Sequence, residues 1–212
     1  MEPVGPRFRR SRLPHVAVLM AKVIEAVISR SGSDTMSHTE IEECIRAHGF
    51  DEFAWMDGRD VRVAQWVRFK CRMMCEGYGV SAMCPPNMPS VEECREFFGE
   101  YRRIALLHLE LDCGGAPDED VLGPVDEALL ALEREAFLRG YEKAMVLPMT
   151  VCYRCRSCSG SVASCREKAA SRPNPEALGV DVFATARALG FPIEVLDDVD
   201  RKQNRYAMLL LE

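Results

Sequence analysis

The amino-acid sequence predicts an α/β fold, namely a sandwich in which a mixed β-sheet is flanked by helices and carries cysteine-rich metal-binding loops. Segments with the apolar pattern of strands alternate with segments that have the apolar period and the caps of helices. The sequence closes on two strand-like segments joined by a charged turn, which predicts a final hairpin. Seven of the ten cysteines lie in two short windows, a density that ordinary core packing does not produce.

The length and composition predict one domain behind an N-terminal extension. A chain of 212 residues, 48% hydrophobic and 28% charged, is long enough to bury a sizeable core. We expect residues 1–36 to form a mobile or helical extension, with a helical pattern over residues 14–30. We expect residues 37–212 to form a single cysteine-rich metal-binding domain. Met36 stands at the junction and is a candidate alternative translation start.

The net charge and the hydropathy pattern argue against two classes of protein. A net charge of -6 does not suit a nucleic-acid binder that works by neutralising phosphates. No apolar run approaches the roughly 20 residues that cross a bilayer, so we expect no membrane association. We therefore expect a cytoplasmic protein. Clustered cysteines in that compartment are more often metal ligands than disulfides.

The first half of the chain predicts a helix and two strands. A capping box formed by Ser37 and Glu40 predicts a helix that ends at about Ala47. Residues 50–56 form a strand candidate that ends in a turn signal, Asp-Gly. Apolar and polar side chains alternate over residues 61–69, which predicts a second strand leading into Cys71.

The rest of the chain alternates between the two kinds of element. Ser90 caps the helix predicted at 90–100. The strand predicted at 104–111 is apolar at nearly every position, as expected for a strand that is buried on both faces. The predicted helices are 90–100, 118–140 and 181–189, and the predicted strands are 104–111, 144–150, 193–196 and 206–211.

The two cysteine windows have the spacing of metal ligands. The first window is Cys71-x3-Cys75-x8-Cys84, and the second is Cys152-x2-Cys155-x2-Cys158-x6-Cys165. Thiolates suit both zinc and iron–sulfur clusters. Structural zinc sites usually take two cysteines from each of two knuckles, whereas bacterial ferredoxins use the Cys-x2-Cys-x2-Cys run. The spacing therefore favours one or two [4Fe–4S] clusters, with zinc as the alternative.

The number of thiols decides what such clusters do. The second window supplies four ligands and satisfies one cluster, whereas the first window supplies three. An eighth ligand would come from Cys94 or Cys113, unless these residues, like Cys44, are small buried hydrophobes. Without an eighth ligand, one iron is open to water or substrate and acts as a Lewis acid, which indicates an enzyme.

Several neighbours of the windows are candidates for supporting roles. Tyr78 shields a cluster and Gly79 allows the backbone to approach it, while Pro85 fixes the loop after Cys84. Arg166 and the arginines near it stabilise thiolates or form an exposed basic rim.

The histidines indicate no catalytic or metal-binding arrangement. His108 lies in the middle of the strongest predicted strand, and we interpret it as a core histidine with satisfied hydrogen bonds. We expect His15, His38 and His48 to face solvent.

The two windows together resemble a family of predicted metal-binding proteins of unknown function, found largely in anaerobes. The motifs that carry the resemblance are Cys71-x3-Cys75-x2-Tyr78-Gly79-x4-Cys84-Pro85-Pro86 and Cys152-x2-Cys155-x2-Cys158-x6-Cys165-Arg166. The resemblance also takes in Arg172-Pro173 and residues 179–182, and it covers roughly residues 40–212. It implies metal binding, usually as iron–sulfur, and names no reaction.

Three hypotheses of function follow from these observations. The favoured one is an iron–sulfur protein with an electron-transfer or accessory redox role and a redox protein partner. The second is an enzyme that uses the open iron of a three-cysteine cluster. The third is an interaction module stabilised by zinc.

Overall fold

Four β-strands form one sheet at the centre of the computed structural model, which describes residues 36–112, 118–196 and 202–212. The strands are β1 (Glu52–Met56), β2 (Ile104–Leu111), β3 (Met145–Leu147) and β4 (Gln203–Leu210). Their order across the sheet is β1-β2-β4-β3, and all three pairings are antiparallel. The predicted α/β class is confirmed. The expected mixed sheet is not found in the described residues, because β4 lies between β2 and β3 and runs opposite to both.

Helices cover both faces of this sheet. They are α1 (His38–Ala47), α2 (Gln65–Met74), α3 (Val91–Gly99), α4 (Asp118–Leu138) and α5 (Val182–Ala188), with 3₁₀ turns at Gly58–Asp60 and Pro175–Leu178. Successive side chains of a strand point to opposite faces. Accordingly, Ala105 and Leu107 of β2 pack in the cluster that contains α1 and α4, whereas Ile104 and Leu106 pack with α3 and α5. The predicted sandwich is confirmed.

The predicted strand over residues 61–69 is wrong. Val63 forms only an isolated bridge with Val180, and the chain is helical from Gln65 onwards. The alternation of Val61 and Val63 is genuine strand patterning, but it ends there. The apolar side chains that follow are spaced three to four residues apart, which is the helical period. Cys71 therefore lies on a helix and not at the end of a strand.

The predicted final hairpin is also wrong. Residues 193–196 have no regular structure, and Val195 is 82% exposed. The strand predicted at 206–211 exists as β4, but its two edges are already occupied by β2 and β3. No edge of β4 is left for a hairpin partner.

The remaining predicted elements are confirmed, with shifts of their ends. Both capping boxes form, at Ser37 with Glu40 and at Ser90 with Glu93. The strand predicted at 104–111 is observed with those bounds, whereas that predicted at 144–150 is shorter. The helix predicted at 14–30 lies outside the described residues.

Gly58 brings the end of β1 against the end of α3. Its backbone N–H donates to the Tyr101 carbonyl oxygen at 2.8 Å. A Cβ atom at this position would lie 1.9 Å from the Phe98 carbonyl oxygen and 2.6 Å from that of Tyr101. Only glycine fits this close approach of two backbone segments. Within the described ranges, no helix has both the length and the apolar character that crossing a membrane requires.

Candidate metal centre

The first cysteine window begins at the end of α2. Cys71 lies in the last turn of the helix, and Cys75 is its C-cap residue, so the two thiols are one helical turn apart. The Cys75 N–H donates to the Cys71 carbonyl oxygen at 3.3 Å. Burial raises the pKa of the Cys71 thiol, and the neighbouring Cys75 thiol raises it further.

The loop after α2 carries Cys84 back towards these two residues. Gly79 has a φ of 75° in this loop, and its N–H donates to the Pro85 carbonyl oxygen at 2.9 Å. The Tyr78 N–H donates to the Cys75 carbonyl oxygen at 3.1 Å. These bonds fold the loop around the window, and Cys84 is buried at its far end.

The second cysteine window follows β3 and has no helix or strand of its own. The thiols at its two ends, Cys152 and Cys165, both donate to the hydroxyl oxygen of Ser171, at 3.6 Å and 3.7 Å. Ser171 is buried. The loop is therefore closed on itself, because its first and last cysteines meet at one buried side chain.

The two windows converge on each other. The Ala82 N–H in the first loop donates to the Cys158 sulfur at 3.2 Å. The Asn87 amide donates to the carbonyl oxygens of Ser81 and Gly160, at 3.2 Å and 2.9 Å, and so joins the two loops.

The thiols of the two windows also interact electrostatically. Burial raises the pKa of the Cys84 thiol, and Cys75, Cys71 and Cys152 raise it further. Electrostatic influence of this kind requires that the thiols lie near one another. The structure therefore brings three first-window residues and one second-window residue into a common neighbourhood.

Cys158 differs from the other window cysteines in its environment. It is exposed, as Cys75 is, but backbone N–H groups, mainly those of Gly160 and Ala82, lower the pKa of its thiol. Such donors stabilise the thiolate, which is the form that binds metal. Arg166 donates to the Ser157 carbonyl oxygen at 2.9 Å and so braces the loop next to Cys158.

Cys94, one of the two candidates for an eighth ligand, lies in the core. Cys94 is 1% exposed, packs in the core cluster of α3 and α5, and has its sulfur 3.7 Å from the Pro89 carbonyl oxygen. This is the environment of a small buried hydrophobe. Cys113 lies outside the described residues. None of the nine described cysteines forms a disulfide.

A bidentate ion pair holds the end of the second window to the sandwich. Arg172 donates from Nε and Nη2 to the two carboxylate oxygens of Glu133 on α4, at 3.0 Å and 2.5 Å. The Glu133 carboxylate also accepts the Val146 N–H of β3 at 2.7 Å. Bidentate pairs fix geometry as well as adding stability. The Arg-Pro motif at 172 thus anchors the loop to a helix and a strand.

An open cleft of about 300 Å³ lies beside the first window. Its lining includes Cys71 and Cys75, and the rest of the wall is mostly apolar. Glu176 adds a carboxyl group to this wall, and burial raises the pKa of that carboxyl. Local sequence patterns did not indicate Glu176, because the Pro175–Leu178 turn that carries it is distant from α2 in the chain.

A second acidic residue was missed near the second window. Asp126 on α4 is 7% exposed and accepts a hydrogen bond from the Tyr153 hydroxyl at 3.0 Å. Burial raises the pKa of Asp126 to about 6. Its helical position gave no signal in the sequence, because the contact depends on where the cysteine loop crosses α4.

The predictions for the histidines have mixed outcomes. His108 is 5% exposed and contacts Glu52 at 2.6 Å and Asn204 at 2.8 Å, so its interpretation as a satisfied core residue is confirmed. His38 is exposed, as expected. His48 was expected to face solvent, and this is wrong: it is 2% exposed because α1 packs its last turn against α4. His15 lies outside the described residues.

The fold and the paired windows define a cysteine-rich α/β protein with converging thiol-bearing loops. Residues 54–211 match the profile of DUF2284, the family described as predicted metal-binding proteins, and the chain belongs to this family. No curated protein and no solved structure matches the chain.

Proposed function

We propose that this protein is an iron–sulfur protein with a redox or electron-transfer accessory role. In this proposal Cys152, Cys155, Cys158 and Cys165 hold one [4Fe–4S] cluster, and Cys71, Cys75 and Cys84 hold three irons of a second. The observation that carries the proposal is the convergence of the two windows, which joins Ala82 of one loop to Cys158 of the other at 3.2 Å. Adjacent clusters would pass electrons between them, and N–H donors to sulfur tune cluster potentials.

The Cys-x2-Cys-x2-Cys run of the second window supports a cluster over a single zinc ion. A tetrahedral zinc ion with bonds of about 2.3 Å holds its thiolates about 3.8 Å apart. Among the described residues, no three window cysteines have sulfur atoms that all lie within 4.8 Å of one another. A four-iron cluster binds each thiolate through a different iron and therefore needs wider spacing.

An exposed apolar surface next to the first window supports a protein partner. Large side chains of α2 are solvent-exposed there: Trp66 is 50% exposed, Phe69 59%, Met73 65% and Met74 74%. Several large exposed apolar side chains on one short helix are typical of interaction sites. A redox partner docked on α2 would lie next to Cys75, which is the C-cap residue of this helix.

Iron, sulfide and zinc analysis of protein purified without exposure to air tests the proposal. We expect about eight irons and about eight sulfides per chain, as two four-iron clusters require, with a reversible spectral change on reduction. About one or two zinc ions without sulfide would overturn the proposal in favour of the zinc-stabilised module. About four irons would overturn the assignment of a second cluster to the first window.

A second candidate function is an enzyme in which the first-window cluster has an open iron. The observation that favours it is the cleft of about 300 Å³ lined by Cys71, Cys75 and Glu176. An iron with no fourth protein ligand would face this cleft and act as a Lewis acid. The Glu176 carboxyl would accept a hydrogen bond from a bound substrate.

Replacing Glu176 by Gln is expected to weaken the binding of imidazole to the reduced protein about tenfold. At alkaline pH, where the Glu176 carboxyl is ionised despite its raised pKa, imidazole offers one nitrogen to an open iron and an N–H to the carboxylate. Exchanging that charge-assisted bond for a neutral one to the Gln amide costs about 1.5 kcal/mol. The measurement is a titration followed by the electron paramagnetic resonance spectrum. Glu96→Gln, an exposed residue on α3, makes the same charge change and serves as the control. An unchanged spectrum in the wild type would contradict the open iron, and equal affinities in Glu176→Gln and wild type would contradict the role of Glu176.

A further inference from the structure

A separate group of metal-ligating side chains lies between α1 and α4. Cys44 and His48 stand one helical turn apart at the end of α1, and Glu135 faces them from α4. Within the described parts of the chain, this is the one trio of Cys, His, Asp or Glu residues whose ligand atoms all lie within 4.8 Å of one another. Cys44 and His48 also precede the segment at 54–211 that matches the family.

The distance between His48 Nε2 and Glu135 approaches that of two groups bound to one ion. The Cys44 sulfur is 3.9 Å from His48 Nδ1, and His48 Nε2 is 3.7 Å from the Glu135 carboxylate. A tetrahedral ion with bonds of about 2.3 Å to sulfur and about 2.1 Å to nitrogen and oxygen spaces such pairs about 3.4–3.6 Å apart. The separation of Nε2 from the Glu135 carboxylate is within a few tenths of an ångström of this spacing, whereas the Cys44 sulfur, which lies beside Nδ1, must turn towards Nε2 to join the same ion.

The protonation of His48 leaves a lone pair available for metal. His48 Nδ1 is 2.9 Å from the Cys44 carbonyl oxygen, and a hydrogen bond there places the ring proton on Nδ1. Nε2 is then an acceptor, and it is buried without a hydrogen-bond partner in the described residues. An unsatisfied buried polar atom costs about 1–3 kcal/mol. A metal ion at Nε2 removes that cost.

The charges of the three groups suit a divalent ion. A thiolate and a carboxylate together carry two negative charges, and the neutral imidazole adds none. Cys44 is 6% exposed and the Glu135 side chain 12%, so both would bind an ion in surroundings from which water is largely excluded. A divalent cation neutralises them completely, and the mixture of sulfur, nitrogen and oxygen donors is the set that zinc accepts.

We propose that Cys44, His48 and Glu135 form a binding site for one zinc ion that ties α1 to α4. The site is independent of the window cysteines, so it binds metal whether or not those residues hold iron–sulfur clusters. A water molecule completes the coordination of the ion.

Zinc and cobalt binding by the full chain tests this site, with iron and sulfide content as a separate readout. We expect the wild type to bind one zinc per chain in addition to its iron, and Co²⁺ in its place to give the absorption of a cobalt–thiolate bond. His48→Gln is expected to lower the affinity for this ion at least tenfold with unchanged iron and sulfide. His38→Gln, which changes an exposed histidine on the same helix, is the matched control and keeps the ion.

Cys44→Ala keeps the test decisive where His48→Gln does not fold, because alanine retains a small apolar side chain in the core. It is expected to lose the cobalt–thiolate band and the dependence of the melting temperature on chelator that the wild type shows. A wild type that binds no zinc or cobalt beyond its window sites, or equal binding by Cys44→Ala and wild type, would overturn the site. Neither result tests the iron–sulfur clusters, which are measured separately by iron and sulfide content.

Discussion

Replacing Cys155 by Ser is expected to remove most of the metal bound by the second window and to lower the yield of folded protein. Cys155 lies in the middle of a loop that has no helix or strand between β3 and the turn at Pro175–Leu178. A loop of this length inside a domain needs ligation or packing to stay ordered. Because the metal site does not exist in the unfolded chain, metal-binding free energy is also folding free energy.

The measurement for Cys155→Ser is iron and sulfide per chain in anaerobically purified protein, together with soluble yield. Ser157→Ala is the matched control, because it changes an exposed residue in the same loop and leaves its backbone carbonyl in place to accept the bond from Arg166. We expect the control to keep full iron. Full metal and unchanged stability in Cys155→Ser would show that the ligand assignment is wrong.

Replacing Gly58 by Ala is expected to destabilise the protein by about 3 kcal/mol, the upper end of the usual cost of overpacking. The added Cβ would lie 1.9 Å from the Phe98 carbonyl oxygen. This neighbour is backbone at the end of a helix, so no rotation of a side chain relieves the clash. The turn after β1 must instead move away from α3 and weaken its bond to Tyr101.

Anaerobic denaturation by urea measures the effect of Gly58→Ala on the free energy of unfolding. Gly99→Ala provides the comparison, because a Cβ atom there meets nothing within 4 Å. We expect the Gly99 variant to change the stability by less than about 0.5 kcal/mol. Equal stability of Gly58→Ala and wild type would contradict the close packing of β1 against α3.

The sequence was sufficient to predict helices and strands that are determined by residues close together in the chain. The strand at 104–111 was predicted with its observed bounds because burial on both faces leaves an unbroken apolar run. The helix starts at Ser37 and Ser90 were predicted because a capping box is a contact between residues three positions apart. Residues 61–69 were misread because two valines in an extended segment precede a helix whose apolar face is exposed.

The contacts that form the candidate site join residues distant in the chain and could not be predicted from sequence patterns. Spacing grouped the thiols within each window, but it did not show that Ala82 would reach Cys158. Glu176 approaches Cys71, and Glu135 approaches His48, only because elements distant in the chain pack together. The prediction of a final hairpin was wrong for the same reason, because the strands that pair with β4 come from distant parts of the chain.

The central place of β4 determines the order in which the protein is assembled during translation. β3 has no sheet partner among the described strands until β4 is synthesised, and β2 has one free edge until then. The ribosome therefore delivers every cysteine of both windows before the sheet closes over its core.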